Sequence, residues 1–142
     1  MRKKIGIFGG TFDPPHNGHL EISKFVIKKF KFQNLIWAIT KKNPFKNKPL
    51  YSLNKRILFC KNIIKGVNKI KIKSYYSFKK KIKIIYLINF LKKKNKKIDY
   101  FFIMGSDNLV NLHKWKDWRE IAKKCKIIVF PRKGFTIKSR NS

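Results

Sequence analysis

Residues 5–20 read IGIFGGTFDPPHNGHL, and this stretch decides the fold. The apolar run 5–8 stops at Gly9 and Gly10, and apolar residues then recur at helical spacing from Leu20 onward. Short apolar runs that end at glycine are typical of buried strands, and spacings of three and four residues are typical of helices. The stretch therefore predicts a strand, a glycine loop and a helix.

The same alternation of strand and helix patterns continues along the chain. Further strands are predicted over 35–39, weakly at 70–72, over 100–104 and over 126–130, and further helices over 53–64, 82–94 and 115–124. Ser52 is the predicted N-cap of the second helix. Strands that alternate with helices form a mostly parallel sheet covered on both faces, with ligands outside the carboxyl ends of the strands. The sequence therefore predicts an α/β fold, one doubly wound five-stranded domain with a surface loop over 41–49.

The chain is strongly basic, with 37 Lys and Arg against 6 Asp and Glu and a formal net charge of +31. Such a charge is typical of proteins that neutralise nucleic-acid phosphates. An A+T-rich coding sequence also raises the net charge, because it enriches lysine together with isoleucine, asparagine and phenylalanine. The lysines are spread over the whole chain, which favours solvated faces and argues against nucleic acid as a specific partner.

Cysteine usage and hydropathy indicate the compartment. Cys60 and Cys125 lie far apart within apolar helical patterns and form no CxxC pair, which favours buried free thiols in a reducing, cytoplasmic setting. The longest apolar run, 84–91, is far shorter than the roughly 20 residues that cross a bilayer. We therefore expect a soluble protein with no membrane partner. No cluster of His, Cys and carboxylate residues in the sequence resembles a protein-held metal site.

Two histidines carry the chemical signal. His16 and His19 flank Gly18 at the predicted start of the first helix, and this spacing can put both imidazoles on one side of the helix mouth. An imidazole there can donate a hydrogen bond to a phosphate oxygen, and both the helix N-terminus and the loop amides favour the same anion. The alternative is that both histidines are loop and helix-capping residues. The context favours an anion site at His16 and His19.

The string 9–20 resembles the opening of the bacterial nicotinate-nucleotide adenylyltransferases, in the nucleotidyltransferase superfamily marked by His-x-Gly-His. Two later segments, 102–109 and the tryptophan-containing 113–118, resemble the same family's motifs. The resemblance implies a Rossmann-like fold and the transfer of AMP from ATP to nicotinate mononucleotide, giving deamido-NAD and pyrophosphate in NAD biosynthesis. Mg²⁺ would arrive with the ATP.

The resemblance also implies that His16 and His19 are catalytic, and it implies two groups of binding residues. The ATP-binding positions are Gly9, Gly10, Thr11, Phe12, Gly18, Gly105 and Asp107. Asp107 would hold an adenosine ribose hydroxyl, Trp115 would stack on the nicotinate ring, and Lys46 would meet a phosphate. As alternatives, Trp115 could be a core anchor, and Lys46 could be a solvated side chain. Arg56, like Lys46, could meet a phosphate or be solvated.

The sequence departs from the family pattern in two places. The later Ser/Thr-rich segment that ends in arginine is missing, and the threonine-containing pattern is absent around 81–87. We therefore expect a single nucleotidyltransferase domain, 1–142, that lacks the family's usual C-terminal segment. The alternatives are an adenylyltransferase with nicotinamide mononucleotide or phosphopantetheine as acceptor, an inactive truncated relative, and a basic nucleic-acid-binding protein. The oligomeric state is left open.

Overall fold

The computed structural model describes residues 2–40, 48–74, 84–106 and 118–131. In chain order the elements are β1 (Lys3–Gly10), α1 (Asn17–Phe30), β2 (Asn34–Ile39), α2 (Leu53–Ile63), β3 (Ile70–Lys73), α3 (Ile84–Lys94), β4 (Ile98–Gly105), α4 (Trp118–Lys124) and β5 (Lys126–Phe130). Within the described ranges, these five strands form one parallel sheet in the order β3-β2-β1-β4-β5. The predicted α/β fold is confirmed. None of the described helices is long and apolar enough to cross a membrane.

Gly9 and Gly10 lie in β1 and pair with the last two residues of β2, which corrects the prediction of a glycine loop. A Cβ atom on Gly9 would lie 3.1 Å from Ile84 Cδ1 and 3.1 Å from Phe102 Cε1. Glycine is needed there because α3 and β4 pack closely against the strand, and the chain turns only after it. The loop begins at Thr11.

Each face of the sheet has its own core, because successive strand residues point to opposite faces. Helices α1 and α2 cover one face, where the buried strand residues are Phe8, Leu35, Trp37, Ile39, Ile70, Phe101, Ile103 and Phe130. Helices α3 and α4 cover the other face, where the buried strand residues are Ile7, Ile36, Ala38, Tyr100, Phe102 and Met104. Burial on both faces explains why the central strands read as continuous apolar runs.

Helix α2 begins where the sequence predicts, but its buried residues differ from the predicted apolar ones. Ser52 caps it as expected, since its hydroxyl oxygen accepts the backbone N–H of Lys55 at 3.2 Å. Leu58, however, is 56% exposed, whereas Arg56 is only 2% exposed. The helix therefore turns a charged side chain inward, and the partners of that side chain lie at the site described below.

Both cysteines are free and buried, as predicted. Burial raises the pKa of Cys60 to about 12, and burial likewise raises the pKa of Cys125 to about 11. Both thiols therefore stay protonated at neutral pH and behave as small core residues.

Candidate active site

The segment after the first strand, residues 11–16, is called the β1–α1 loop here. It lies at the carboxyl end of the central strand, between the ends of β2 and β4. The register pairs Phe8 with Ile103, and continuing it by two residues brings Gly10 beside Gly105, the last residue of β4. Parallel sheets of this kind bind ligands at this edge. The fold thus brings the predicted glycines and the β1–α1 loop together at one edge.

Phe12 holds the β1–α1 loop in an unusual backbone conformation, with a φ of 51°. A bulky residue in the left-handed region stores strain on the order of 1–3 kcal/mol. The buried ring of Phe12 stacks on Trp37, with centroids 4.8 Å apart, and lies 4.7 Å from the His19 ring. These ring contacts hold the strained backbone in place.

The two histidines form a capping box at the start of α1. The Nδ1 atom of His16 accepts the backbone N–H of Gly18 at 3.1 Å, and Nδ1 of His19 accepts the backbone N–H of His16 at 3.0 Å. Their ring centroids are 4.1 Å apart. The capping alternative raised from the sequence is therefore realised in the structure.

Capping by Nδ1 also determines what the opposite nitrogen of each ring can do. A nitrogen that accepts a backbone N–H carries no proton, so the neutral rings of His16 and His19 carry their proton on Nε2. Nε2–H is a donor, which is the property that an anion site requires. His16 is exposed and His19 is 8% exposed. Capping and anion binding thus use different atoms of the same rings and are compatible.

Gly18 leaves the space that the His16 ring occupies. A Cβ atom on Gly18 would lie 2.8 Å from Cε1 and 2.9 Å from Nδ1 of His16. Such distances are too short for real contacts, so any larger residue would push the ring away. The glycine of the His-x-Gly-His motif therefore has a steric reason in this chain.

A buried hydrogen-bonded chain ties the first turn of α1 to β2. The indole N–H of Trp37 donates to the hydroxyl oxygen of Ser23 at 2.8 Å, and that hydroxyl donates to the carbonyl oxygen of His19 at 2.7 Å. Trp37 and Ser23 are both fully buried. The backbone that carries His19 is thus fixed to the central sheet.

Arg56 joins three backbone segments at the same edge. Its guanidinium donates to the carbonyl oxygens of Thr11 at 2.8 Å, Thr40 at 2.7 Å and Tyr51 at 3.1 Å. These residues follow β1, follow β2 and precede α2, respectively. The sequence left Arg56 open as a solvated side chain, and its 2% exposure corrects that alternative.

Asp13 closes the β1–α1 loop onto the same segment before α2. Its two carboxylate oxygens accept the backbone N–H groups of Leu50 at 2.5 Å and Tyr51 at 2.8 Å. Desolvation lowers the pKa of Arg56, and the nearby Asp13 carboxylate opposes that shift by favouring the charged guanidinium. Arg56 stays charged, because arginine is not deprotonated in proteins.

Sequence reasoning missed the roles of Asp13, Ser23 and Arg56 in organising the loop. Asp13 was part of the quoted string, but its partners lie near residue 50 and leave no local signal. Arg56 offered one weak signal: it is one of only five arginines among 37 basic residues, and it lies in a helical pattern of apolar residues. In a chain that otherwise uses lysine, an arginine there indicates a need for a planar, multiple donor.

Three predicted site residues lie outside the described residues, namely Asp107, Trp115 and Lys46, as does most of the predicted 41–49 loop. Their predicted roles stay predictions. Within residues 2–40, 48–74, 84–106 and 118–131, no group of three His, Cys, Asp or Glu side chains is placed to hold a metal ion.

Comparison with known proteins identifies the family. A family model described as cytidylyltransferase-like matches residues 7–142. A Pelagibacter ubique protein named "Probable nicotinate-nucleotide adenylyltransferase" is 53% identical over 141 residues, which cover 99% of this chain and 78% of that protein. An Agrobacterium fabrum protein of the same name is 37% identical over 137 residues, covering 94% of this chain and 71% of that protein.

A solved structure shares the fold. The Plasmodium falciparum nicotinic acid mononucleotide adenylyltransferase, complexed with NaAD, superposes with a TM-score of 0.73 at 19% identity, covering 91% of this chain and 75% of that chain. At this identity the likeness is one of fold. Since the family model spans nearly the whole chain and a relative is 53% identical to it, this chain belongs to the nicotinate-nucleotide adenylyltransferases of the cytidylyltransferase-like family.

Proposed function

We propose that this chain transfers AMP from ATP to nicotinate mononucleotide and releases pyrophosphate, which forms deamido-NAD in NAD biosynthesis. The family to which the chain belongs supports the reaction. The observation that carries the proposal is the pair of imidazoles at the head of α1, with ring centroids 4.1 Å apart and each Nδ1 engaged by a backbone N–H. That arrangement turns His16 and His19 into Nε2–H donors for a polyphosphate.

The proposed chemistry is an in-line displacement at the α-phosphorus of ATP. An oxygen of the mononucleotide phosphate forms the new bond to phosphorus, the bond to the bridging oxygen breaks, and the electron pair leaves with pyrophosphate. The nucleophile is already an anion, so no protein base is needed and no covalent enzyme intermediate forms. Catalysis then consists of positioning and stabilisation of charge on the transferring group.

The residues of this chain supply that stabilisation in two ways. His16 and His19 donate Nε2–H bonds to phosphate oxygens, and the N-terminus of α1 adds its partial positive charge. Gly9 lets α3 and β4 pack close to the end of β1, and Gly10 lies against the Phe12 ring. Backbone amides of the β1–α1 loop, at Thr11 and Phe12, then lie where the phosphates would approach.

The remaining contacts in the proposal follow the family resemblance. Asp107 and Gly105 would bind the adenosine ribose, Trp115 would stack on the nicotinate ring, and Lys46 would contact a phosphate. Trp115 suits this role because an indole face complements a flat, electron-poor ring.

Mg²⁺ is proposed to arrive bound to the phosphates of ATP. Among the described residues of the β1–α1 loop, Asp13 is the one carboxylate, and both its oxygens already accept backbone N–H groups. The ATP phosphates would therefore be the ion's main ligands. When bound, the ion would neutralise charge on the transferring phosphates.

A cytoplasmic location is proposed on the same footing. Both described cysteines are free thiols, and free thiols are typical of reducing compartments. NAD biosynthesis from soluble nucleotides fits that setting.

The test is pyrophosphate release from Mg·ATP, with nicotinate mononucleotide, nicotinamide mononucleotide or phosphopantetheine offered separately. We expect turnover with nicotinate mononucleotide alone. Turnover confined to either other acceptor would replace the proposed acceptor, and no turnover by folded protein would favour an inactive relative.

Substitution of the histidines tests the site itself. His16→Ala and His19→Ala should each lower kcat at least tenfold, since loss of one preorganised donor costs about 10²- to 10³-fold in comparable sites. His16→Asn is the matched control, because asparagine can still cap α1 but has no Nε2–H. We expect His16→Asn to regain the melting temperature that His16→Ala loses, but not the lost turnover. Near-normal kcat in both alanine variants would remove the histidines from the mechanism.

A further inference from the structure

Arg56 is a buried charge that donates hydrogen bonds to backbone carbonyls of three segments. The residues that supply them, Thr11, Thr40 and Tyr51, are separate in sequence and meet only at the carboxyl edge of the sheet. A residue that served stability alone could be placed anywhere in the core. This one lies at the carboxyl edge of the sheet, in contact with the β1–α1 loop.

The bond to Thr11 fixes the direction of a peptide group in the β1–α1 loop. The Thr11 carbonyl points at Nη1 of Arg56, 2.8 Å away. Carbonyl and N–H groups of a trans peptide point in opposite directions. The N–H of Phe12, which belongs to the same peptide, therefore points away from Arg56.

The hydrogen bond from Arg56 to Thr40 fixes the end of β2 relative to β1. Thr40 also donates its own N–H, at 2.9 Å, and its hydroxyl, at 3.2 Å, to the carbonyl oxygen of Gly10. Arg56 thus holds a residue that in turn holds the end of β1.

Two hydrogen bonds link Arg56 to Asp13 through the backbone of Tyr51. Tyr51 donates its N–H to Asp13 and accepts from Nε of Arg56 through its carbonyl oxygen. Asp13 lies three residues before His16, the N-cap of α1. These hydrogen bonds therefore connect the buried guanidinium of Arg56 to the loop that carries His16.

We propose that Arg56 is a positioning residue for the AMP transfer, which sets the β1–α1 loop and through it the rings of His16 and His19. This inference rests on the proposed function for its kinetic consequence but not for its structural one. In this proposal Arg56 acts through the loop that it holds and not through contact with a substrate. Its removal should lower kcat more than it changes KM for either substrate.

The kinetic test compares Arg56→Lys and Arg56→Met with wild type. Lysine keeps the charge but lacks the planar fork that reaches three carbonyls, so both variants should lose about 10- to 100-fold in kcat, the scale expected for a misplaced catalytic group. KM for ATP and for nicotinate mononucleotide should change by less than about threefold. If Arg56→Met does not fold, Arg56→Lys alone decides.

Arg2→Met is the matched control. The Arg2 guanidinium also bonds a carboxylate and a backbone carbonyl, Asp99 at 2.7 Å and Lys96 at 2.9 Å, but at the opposite edge of the sheet. Its kcat should stay within about twofold of wild type. A melting temperature lowered in the Arg56 variants with unchanged kcat per folded molecule would overturn the positioning role.

Histidine NMR tests the same inference without turnover. The chain has only three histidines, so ¹⁵N-labelled imidazole signals are few and assignable with single His variants. In wild type, the signals of His16 and His19 should report Nε2–H rings. Arg56→Lys should shift both sets of signals, and Arg2→Met should leave them in place.

The two readouts separate the possible failures. If wild type turned over none of the three acceptors, the proposed function would fall, and the ring signals would still decide the positioning role. Unchanged ring signals in Arg56→Lys would overturn that role, whatever the kinetics.

Discussion

The smallest residue of the candidate site offers a test that separates activity from folding. Gly18 is the second residue of α1, where alanine is favoured over glycine by roughly 0.5–1 kcal/mol. A Cβ there would lie 2.8 Å from the His16 ring. Gly18→Ala should therefore displace His16 and lower kcat at least about tenfold, while the gain in helix propensity offsets part of the lost cap and the free energy of unfolding changes by less than about 1 kcal/mol. Thermal melts and initial rates on one preparation check both parts.

Gly66→Ala is the control for this change, because the opposite pattern is expected. Gly66 has a φ of 87°, and no heavy atom lies within 4 Å of the place that a Cβ would take, so alanine meets no side chain but strains the backbone. It should lose about 1 kcal/mol of stability and retain wild-type kcat. Wild-type kcat in Gly18→Ala would show that the position of the His16 ring does not matter.

At the scale of elements, the contact between β2 and α1 depends on a bond between two buried side chains. Ser23→Ala would leave the indole N–H of Trp37 without its acceptor, which should cost about 1–3 kcal/mol of unfolding free energy. Trp37→Phe alone loses packing as well as the bond. In the double variant no donor is left unsatisfied, so the losses should be less than additive by about 0.5–3 kcal/mol. Urea unfolding of the four proteins measures this coupling, and additive losses would mean that the bond contributes nothing.

The elements themselves could be predicted, because burial on both faces makes each strand a local run of apolar residues. Lys126–Phe130 was predicted to the residue, and Ile70 and Ile72 sufficed for the edge strand. The prediction that the loop begins at Gly9 was wrong, because a glycine after an apolar run usually signals a turn. Gly9 instead lies within β1 and makes room for α3 and β4. The three acceptors described for Arg56 are backbone carbonyls, which every residue has, so no sequence pattern could reveal these contacts. The histidine pair was found because its spacing is local.

Over the part of the chain that the structure describes, many basic side chains lie in the last turns of the helices. All four described helices carry lysines in their last turn and none of α1, α2 and α3 has an acidic residue in its first turn. Lysines in a last turn complement the helix dipole. In parallel α/β folds the helices run opposite to the strands, so these lysines lie at the edge away from the β1–α1 loop. These last-turn lysines therefore act on substrates at the site only through the long-range field of the +31 net charge.

Salt should consequently weaken substrate capture more than it slows chemistry. Both proposed substrates are anions, and the Debye length shrinks from about 10 Å at 0.1 M to about 3 Å at 1 M salt. We expect kcat/KM for ATP to fall several-fold between these concentrations while kcat changes by less than twofold, because the histidine and amide contacts are short and preorganised. Initial rates in NaCl solutions measure kcat and kcat/KM. Sucrose solutions of the same viscosity are the control for slower diffusion. A salt-independent kcat/KM would mean that the field of the lysines does not reach the site. A parallel titration with DNA addresses the remaining nucleic-acid alternative, since tight, sequence-independent binding at 0.15 M salt would show that the same charge serves a second ligand.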